Sequence, residues 1–313
     1  MSLKISQLDL SSFVQTVVQN KPRLFVIFTI LFFCVLSFFS WFLTVATQGN
    51  FDDIERLDSD VVAGEYIFNA AGCSGCHMSE GNSDRNRLAG GKAFQTAFGK
   101  FYAPNISMSL EYGIGDWSLN DFVNAVRKGV SPENEHYYPS FPYTSYNKIT
   151  DQDLANLWAY WQTLPAIEID NKAHDIIFPF SIRRPIGFWK SAFMSDRWVA
   201  DESFDRGRYL VEAVGHCAEC HTPRNAIGGL KKQRWLHGGK NPSGSGTIPN
   251  ITISTLDWSV EEIEEYLSTG FTPDFDMVGG HMAEVIESTE KLSYVDRIAI
   301  ANYIKSFHIS APQ

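Results

Sequence analysis

The sequence lacks the local patterns that mark most substrate sites. It has no glycine-rich dinucleotide turn, no phosphate-binding loop and no nucleophile paired with a base. Any reaction chemistry therefore rests on a cofactor rather than on side chains alone. Positive charge is also short: 26 Lys and Arg stand against 36 Asp and Glu, for a formal net charge of −10. That balance argues against nucleic acid as a partner and against a basic membrane-surface patch. An acidic surface could steer a basic partner, and it equally serves solubility. Nothing in the patterning indicates an extended β-sheet. Cysteine is scarce, with five in 313 residues.

Four of those five lie in two short strings, Cys73-Ser74-Gly75-Cys76-His77 and Cys217-Ala218-Glu219-Cys220-His221. Each is C-x-x-C-H, the local pattern for covalent c-type haem attachment. Two thiols one helical turn apart can each add to a haem vinyl group, and the adjacent histidine then binds iron as proximal ligand. Two other readings compete. A redox dithiol of the thioredoxin type wants a βα setting, which is missing here. Zinc could take four thiolates from the two pairs, but each following histidine would then have no role.

Haem attachment of this kind takes place outside the bacterial cytoplasm, so the chain must cross a membrane. From Leu24 to Ala46 it runs without a charge, long enough to span the hydrocarbon core as a helix. Lys4, Lys21 and Arg23 precede the run, while Asp52, Asp53 and Glu55 follow it. This places the remainder on the periplasmic side of the inner membrane. A cleaved signal peptide is the competing reading, with Thr44-Val45-Ala46 as a weak cleavage site. Length favours a retained single-pass anchor. Cys34, inside the run, reads as an apolar filler.

The chain repeats itself. Gly64-Glu65-Tyr66 precedes the first string and Gly207-Arg208-Tyr209 the second. Pro104-Asn105-Ile106-Ser107 returns as Pro249-Asn250-Ile251-Thr252, and Asp116-Trp117-Ser118 as Asp257-Trp258-Ser259. Gly129-Val130-Ser131-Pro132 is matched by Gly270-Phe271-Thr272-Pro273. One haem domain is used twice. The expected layout is a cytoplasmic segment over 1–23, an anchor over 24–47, a first domain over 60–164, a connector over 165–204 and a second domain over 205–310.

Each copy reads as helices joined by long loops. Ser118 and Ser259 are natural N-caps with Asp121 and Glu262 in the first turn. A closing helix presents Leu154, Leu157, Trp158 and Trp161 in one copy, and Ile298, Ala301 and Ile304 in the other. That face should pack on the opening helix near Gly64 or Gly207, where a missing side chain permits close contact. The connector is aromatic and basic from Phe178 to Phe193 and reads as a strap across both domains, with a docking surface as the other option.

The distal ligands are less even. In the second copy, Met282 in a Gly-rich loop is the candidate, with His281 as its local rival. The first copy has no methionine in the corresponding stretch from Glu135 to Tyr143. His136 stands at a similar interval from its proximal histidine, Met108 is a second option, and an open position is a third. Asn105, Asn250 and Arg224 are candidates for hydrogen bonds to the haem propionates, with loop-shaping as the alternative for the asparagines.

The combination of C-x-x-C-H, P-N-I-S/T, D-W-S and His136-Tyr137-Tyr138-Pro139-Ser140-Phe141-Pro142-Tyr143 resembles the cytochrome c subunits of membrane-bound bacterial dehydrogenases. Those act on alcohols, gluconate, sugars and aldehydes. The second half, with Gly279-Gly280-His281-Met282-Ala283-Glu284-Val285, is similar over its full length. The resemblance implies an all-α chain with two tandem class I cytochrome c domains after one transmembrane helix, carrying two covalently bound haem c groups. It implies a dehydrogenase or other oxidoreductase as electron donor, and a soluble cytochrome c or terminal oxidase as acceptor. Two departures stand out. Family members often carry three haem domains where this chain has two, and they commonly have Met where Phe141 stands. The rival from another class is a di-haem redox enzyme, of peroxidase or thiosulfate-oxidising type, with an open first haem.

Overall fold

The computed structural model describes residues 10–79, 81–200, 205–242 and 244–306. Residues 1–9 of the expected cytoplasmic segment, 201–204 of the expected connector and 307–310 of the second expected domain lie outside the described residues. The chain divides into two units, Met1–Val45 and Ala46–Gln313.

The first unit is one helix, α1 (Leu10–Leu43). Its segment Phe25–Leu43 is 19 residues long and apolar enough to cross a membrane by length and composition. At 1.5 Å per residue that is about 28 Å, the thickness of a hydrocarbon core. Its large side chains, such as Phe25, Phe32 and Trp41, point outward. The helix starts well before the uncharged run, so helix and apolar segment do not share a first residue.

The second unit contains two similar halves. The first comprises α2 (Val61–Ala70), α3 (Cys73–His77), strands β1 (Ala93–Thr96) and β2 (Gly99–Tyr102), α4 (Leu119–Val123), α5 (Tyr143–Tyr146) and α6 (Asp151–Trp161). Strand β3 (Asp175–Ile176) and α7 (Ile186–Phe193) follow. The second half contains α8 (Asp205–Arg208), α9 (Ala218–His221), β4 (Gly239–Lys240), β5 (Thr247–Ile248), α10 (Val260–Thr269), α11 (His281–Thr289) and α12 (Tyr294–Ser306). Both α4 and α8 run on into a wider turn of π-helix, Asn124–Lys128 and Tyr209–Val214.

Fold class needs one correction: the chain is mostly helical but not all-α. Strands β1, β2 and β3 form an antiparallel sheet, and β4 pairs antiparallel with β5. The β1–β2 hairpin and the β4–β5 pair each lie in the loop after a C-x-x-C-H helix, and β3 joins the first from the segment after α6. A long loop there leaves peptide groups that need partners, and a short hairpin supplies them.

Local chemistry explains the helix starts. Ser118 and Ser259 each form a full capping box, with Asp121 and Glu262 respectively. The Thr150 and Ser293 hydroxyls accept from the amides of Asp153 and Asp296. Leu154, Leu157, Trp158 and Trp161 are buried. In the second half Ala301 and Ile304 are buried, but Ile298 is only half-buried and Ile300 takes its place beside Tyr303. The Tyr303 hydroxyl donates to buried Glu212 (2.8 Å) and accepts from the Trp235 indole (3.0 Å), which fixes the helix rotation. The helix crossings depend on glycine. A Cβ on Gly64 would lie 2.0 Å from the Asn156 carbonyl oxygen, and one on Gly207 would lie 2.3 Å from that of Ala299.

The two halves hold each other by reciprocal tyrosine clasps. Tyr66 donates to Asp296 (2.5 Å) and accepts from the Ser293 amide (3.0 Å). Tyr209 donates to Asp153 and accepts from the Thr150 amide (3.2 Å). Each opening-helix tyrosine thus caps the closing helix of the other half, as a two-fold arrangement requires. The segment between the halves binds both. Lys190, buried on α7, donates to the carbonyls of Lys128 (2.6 Å) and Gly129 (2.7 Å). Trp189 donates to Ile227 O (2.8 Å), while the amides of Val199 and Ala200 donate to Glu212.

Two predictions follow from this packing. Gly64→Ala and Gly207→Ala should each destabilise the fold by about 1–3 kcal/mol, read as a lower denaturation midpoint; an unchanged midpoint in both would contradict the close crossing. Burial raises the Asp296 carboxyl, but hydrogen bonds from Arg206 and Tyr66 outweigh it and leave its pKa lowered. Its contribution is therefore present above the ordinary carboxylate pKa and lost as pH falls through the lowered value. Asp296→Asn should flatten the acid limb of the stability profile.

Candidate haem-binding site

Each C-x-x-C-H string forms a short helical turn entered through a left-handed residue, Gly72 (φ 63°) in the first half and His216 (φ 42°) in the second. A non-glycine residue in that region stores strain of about 1–3 kcal/mol, and sequence reading gave His216 no role. Its ring packs on Tyr146 of the other half, with centroids 5.3 Å apart.

The histidines are held alike. His77 Nδ1 is 2.9 Å from Pro104 O, and His221 Nδ1 is 2.9 Å from Pro249 O. A carbonyl only accepts, so each Nδ1 carries the proton and each Nε2 keeps its lone pair. Burial lowers both pKa values, which keeps the rings neutral. Glycines bring the P-N loops into reach. The amides of Gly90 and Gly238 donate to the carbonyls of His77 (2.7 Å) and His221 (2.6 Å). A Cβ at either glycine would collide with the backbone of the loop that supplies the proline.

All four thiols line one cavity of about 2200 Å³, as do His77, His221 and Met282. Burial pushes Cys73 and Cys217 up to about 12 and Cys76 up to about 11, and raises Cys220. A redox dithiol needs the opposite shift. Among the described residues no three His, Cys, Asp or Glu side chains converge as a metal cluster, which a zinc reading requires. Paired thiols, a neutral histidine with a bare Nε2 and a large apolar cavity fit covalent haem in each half.

The structure does not bring His136 to this cavity. It is buried, its backbone bridges Val130, and its carbonyl accepts from Arg183 (3.1 Å). Its counterpart is Met277, which makes the same bridge with Phe271. The amides of Tyr137 and Val278 donate to Gly129 and Gly270, and those of Ser131 and Thr272 to Glu135 and Asp276. This shared register sets Phe141 opposite Met282, and both line the cavity. The interval was misleading because Asn105 and Trp117 are twelve positions apart where Asn250 and Trp258 are eight. Met108 packs against the core and is not among the cavity-lining residues.

The three propionate candidates, Asn105, Asn250 and Arg224, all line the cavity and also hold protein partners. The Asn105 amide donates to the carbonyls of Ile167 and Ile169, and Asn250 ties its own loop through Thr252 and Thr255. Arg224 pairs with Glu219 (2.6 Å) and donates to Gly228 O. Glu219 also accepts from Thr144 of the first half (2.6 Å), so this group joins the halves. On the opposite side Lys92 pairs with Glu284 and donates to Gly75 O (2.7 Å). Sequence reading missed these ties because their partners are far apart along the chain; the recurring G-x-Y was a visible trace of the clasps.

A family model described as cytochrome c matches residues 61–165. A "diheme cytochrome c-type" protein of Cereibacter sphaeroides is 49% identical over 255 residues, covering 80% of this chain and 86% of that one. The chain belongs to the diheme c-type cytochromes. The cofactor of this cytochrome is covalently bound haem c, and its work is electron transport. The fructose dehydrogenase cytochrome subunit of Gluconobacter japonicus is 37% identical, over 78% of this chain and 51% of its own length. The gluconate 2-dehydrogenase cytochrome c subunit of Pantoea cypripedii is 35% identical, over 81% and 61%. The chain thus spans only about half to three fifths of these two subunits.

Replacing Cys73 and Cys76 by Ser should halve the covalent haem measured by mass and haem staining. Replacing Cys217 and Cys220 should do the same. Unchanged haem content in either variant would refute the attachment sites.

Proposed function

We propose that this cytochrome is a membrane-anchored di-haem electron carrier that takes electrons from a dehydrogenase or other oxidoreductase and delivers them to a soluble cytochrome c or terminal oxidase. Two tandem class I cytochrome c domains, 60–164 and 205–310, carry the haems, and the 165–204 strap joins them. The helix segment Phe25–Leu43, with Lys21 and Arg23 before it and Asp52, Asp53 and Glu55 after it, supports a single-pass anchor with both domains in the periplasm.

Haem iron supplies a one-electron couple when bound. Cys73 and Cys76 would hold one group and Cys217 and Cys220 the other, with His77 and His221 as proximal ligands. Met282 would supply the distal sulfur in the second domain. The observation that carries the reading is the single cavity lined by both attachment turns. The Pro104 and Pro249 carbonyls hold the two histidine rings in place on the wall of that cavity.

Met282 on one side and Phe141 on the other set a direction, because methionine ligation raises the potential. Electrons would enter at the first domain and leave from the second. Potentiometric titration should show two equal steps, with Met282→Ala lowering only the higher one. A single merged high-potential step would contradict the direction. Phe141 also favours the second reading, a di-haem redox enzyme; steady peroxide or thiosulfate turnover by the purified chain would move the assignment there.

A further inference from the structure

Phe141 occupies the register position of Met282, but its ring has no donor atom. The equivalence rests on paired backbone features rather than on interval: two matching bridges, the matching bonds to Gly129 and Gly270, and left-handed residues at Asn134 (φ 60°) and Phe275 (φ 61°). The ring is fixed among aromatics, with centroids 6.2 Å from Tyr137 and 5.8 Å from Tyr146. The first half's cavity wall continues through Phe122, Val126, Ile149 and Leu157, all apolar. The Tyr146 and Tyr138 hydroxyls donate to the carbonyls of Ala71 and Ser181.

Other imidazoles on the cavity wall are otherwise placed. His174 Nδ1 accepts from the Tyr102 amide (3.2 Å), which leaves the proton on Nε2, and its ring packs against Phe101 and Tyr138. His281 belongs to the second half's distal segment, with Nδ1 4.0 Å from Glu284. His216 sits beside Cys217 with its ring on Tyr146. Among the described residues, then, no cavity-wall imidazole stands at the first distal position, which leaves that position to a ligand from outside the chain. A wall of Phe122, Val126, Ile149 and Leu157 offers no positive charge to the niche, which favours a neutral ligand over an anion.

We propose that the first haem has no side-chain distal ligand and that the niche beside Phe141 admits a small neutral diatomic of the carbon monoxide or nitric oxide class, while the second haem is closed by Met282. This rests on the di-haem reading above and deepens it: one site transfers electrons and the other also senses or binds a gas.

The test is a carbon monoxide titration of the dithionite-reduced full-length protein, read by difference spectroscopy beside total haem content. The expected result is two haems and one bound carbon monoxide per chain. Phe141→Met should weaken that binding at least ten-fold, and Met282→Ala should raise the stoichiometry toward two. Should Phe141→Met fail to fold, the wild-type stoichiometry decides alone. Two haems with no carbon monoxide bound would overturn the inference, His216 being then the ligand to examine, and would leave the electron-carrier reading intact. Fewer than two haems would overturn both.

Discussion

Two hydrogen bonds organise this molecule, those from His77 and His221 Nδ1 to the carbonyls of Pro104 and Pro249. Each fixes a tautomer, and with it the direction in which the Nε2 lone pair is offered. The P-N loop must approach closely to make this bond, so Gly90 and Gly238 have no room for a Cβ. Both loops are then secured one residue further on, where the amides of Ile106 and Ile251 donate to Leu88 and Leu236 (3.0 Å each). The proximal side is thus built twice to one plan.

The halves also share a distal logic, because each half's distal segment leads onto the other's attachment turn. Glu284, two residues after Met282, meets Lys92 and the backbone of Gly75; Thr144, three after Phe141, meets Glu219. With the tyrosine clasps at Asp153 and Asp296, these contacts tie the two halves of the second unit together on both sides. What differs between the sites is chemical, not architectural: a thioether on one side and a phenyl ring on the other.

Much of this was legible in the sequence, and the reasons are local. C-x-x-C-H, the serine caps, and the glycines at 64 and 207 each act through neighbours a few residues away or through one unavoidable steric contact. His136 stands at the matching interval, but the loops are of unequal length, and the backbone pairing sets it in register with Met277 and Phe141 in register with Met282. Ile298 was misassigned because Tyr303, tied to Glu212 and Trp235, sets the rotation of α12, and a polar network across the core leaves no periodic signal. The short strands and the Arg224–Glu219–Thr144 tie depend on partners distant in sequence.

The central claim is that two equivalent proximal sites carry unequal distal sides. Electron paramagnetic resonance of the oxidised full-length protein measures this directly, since a haem with two strong axial ligands is low-spin and one lacking the second is high-spin. The account predicts equal amounts of one low-spin and one high-spin ferric signal per chain. Two low-spin signals with no high-spin component would contradict it.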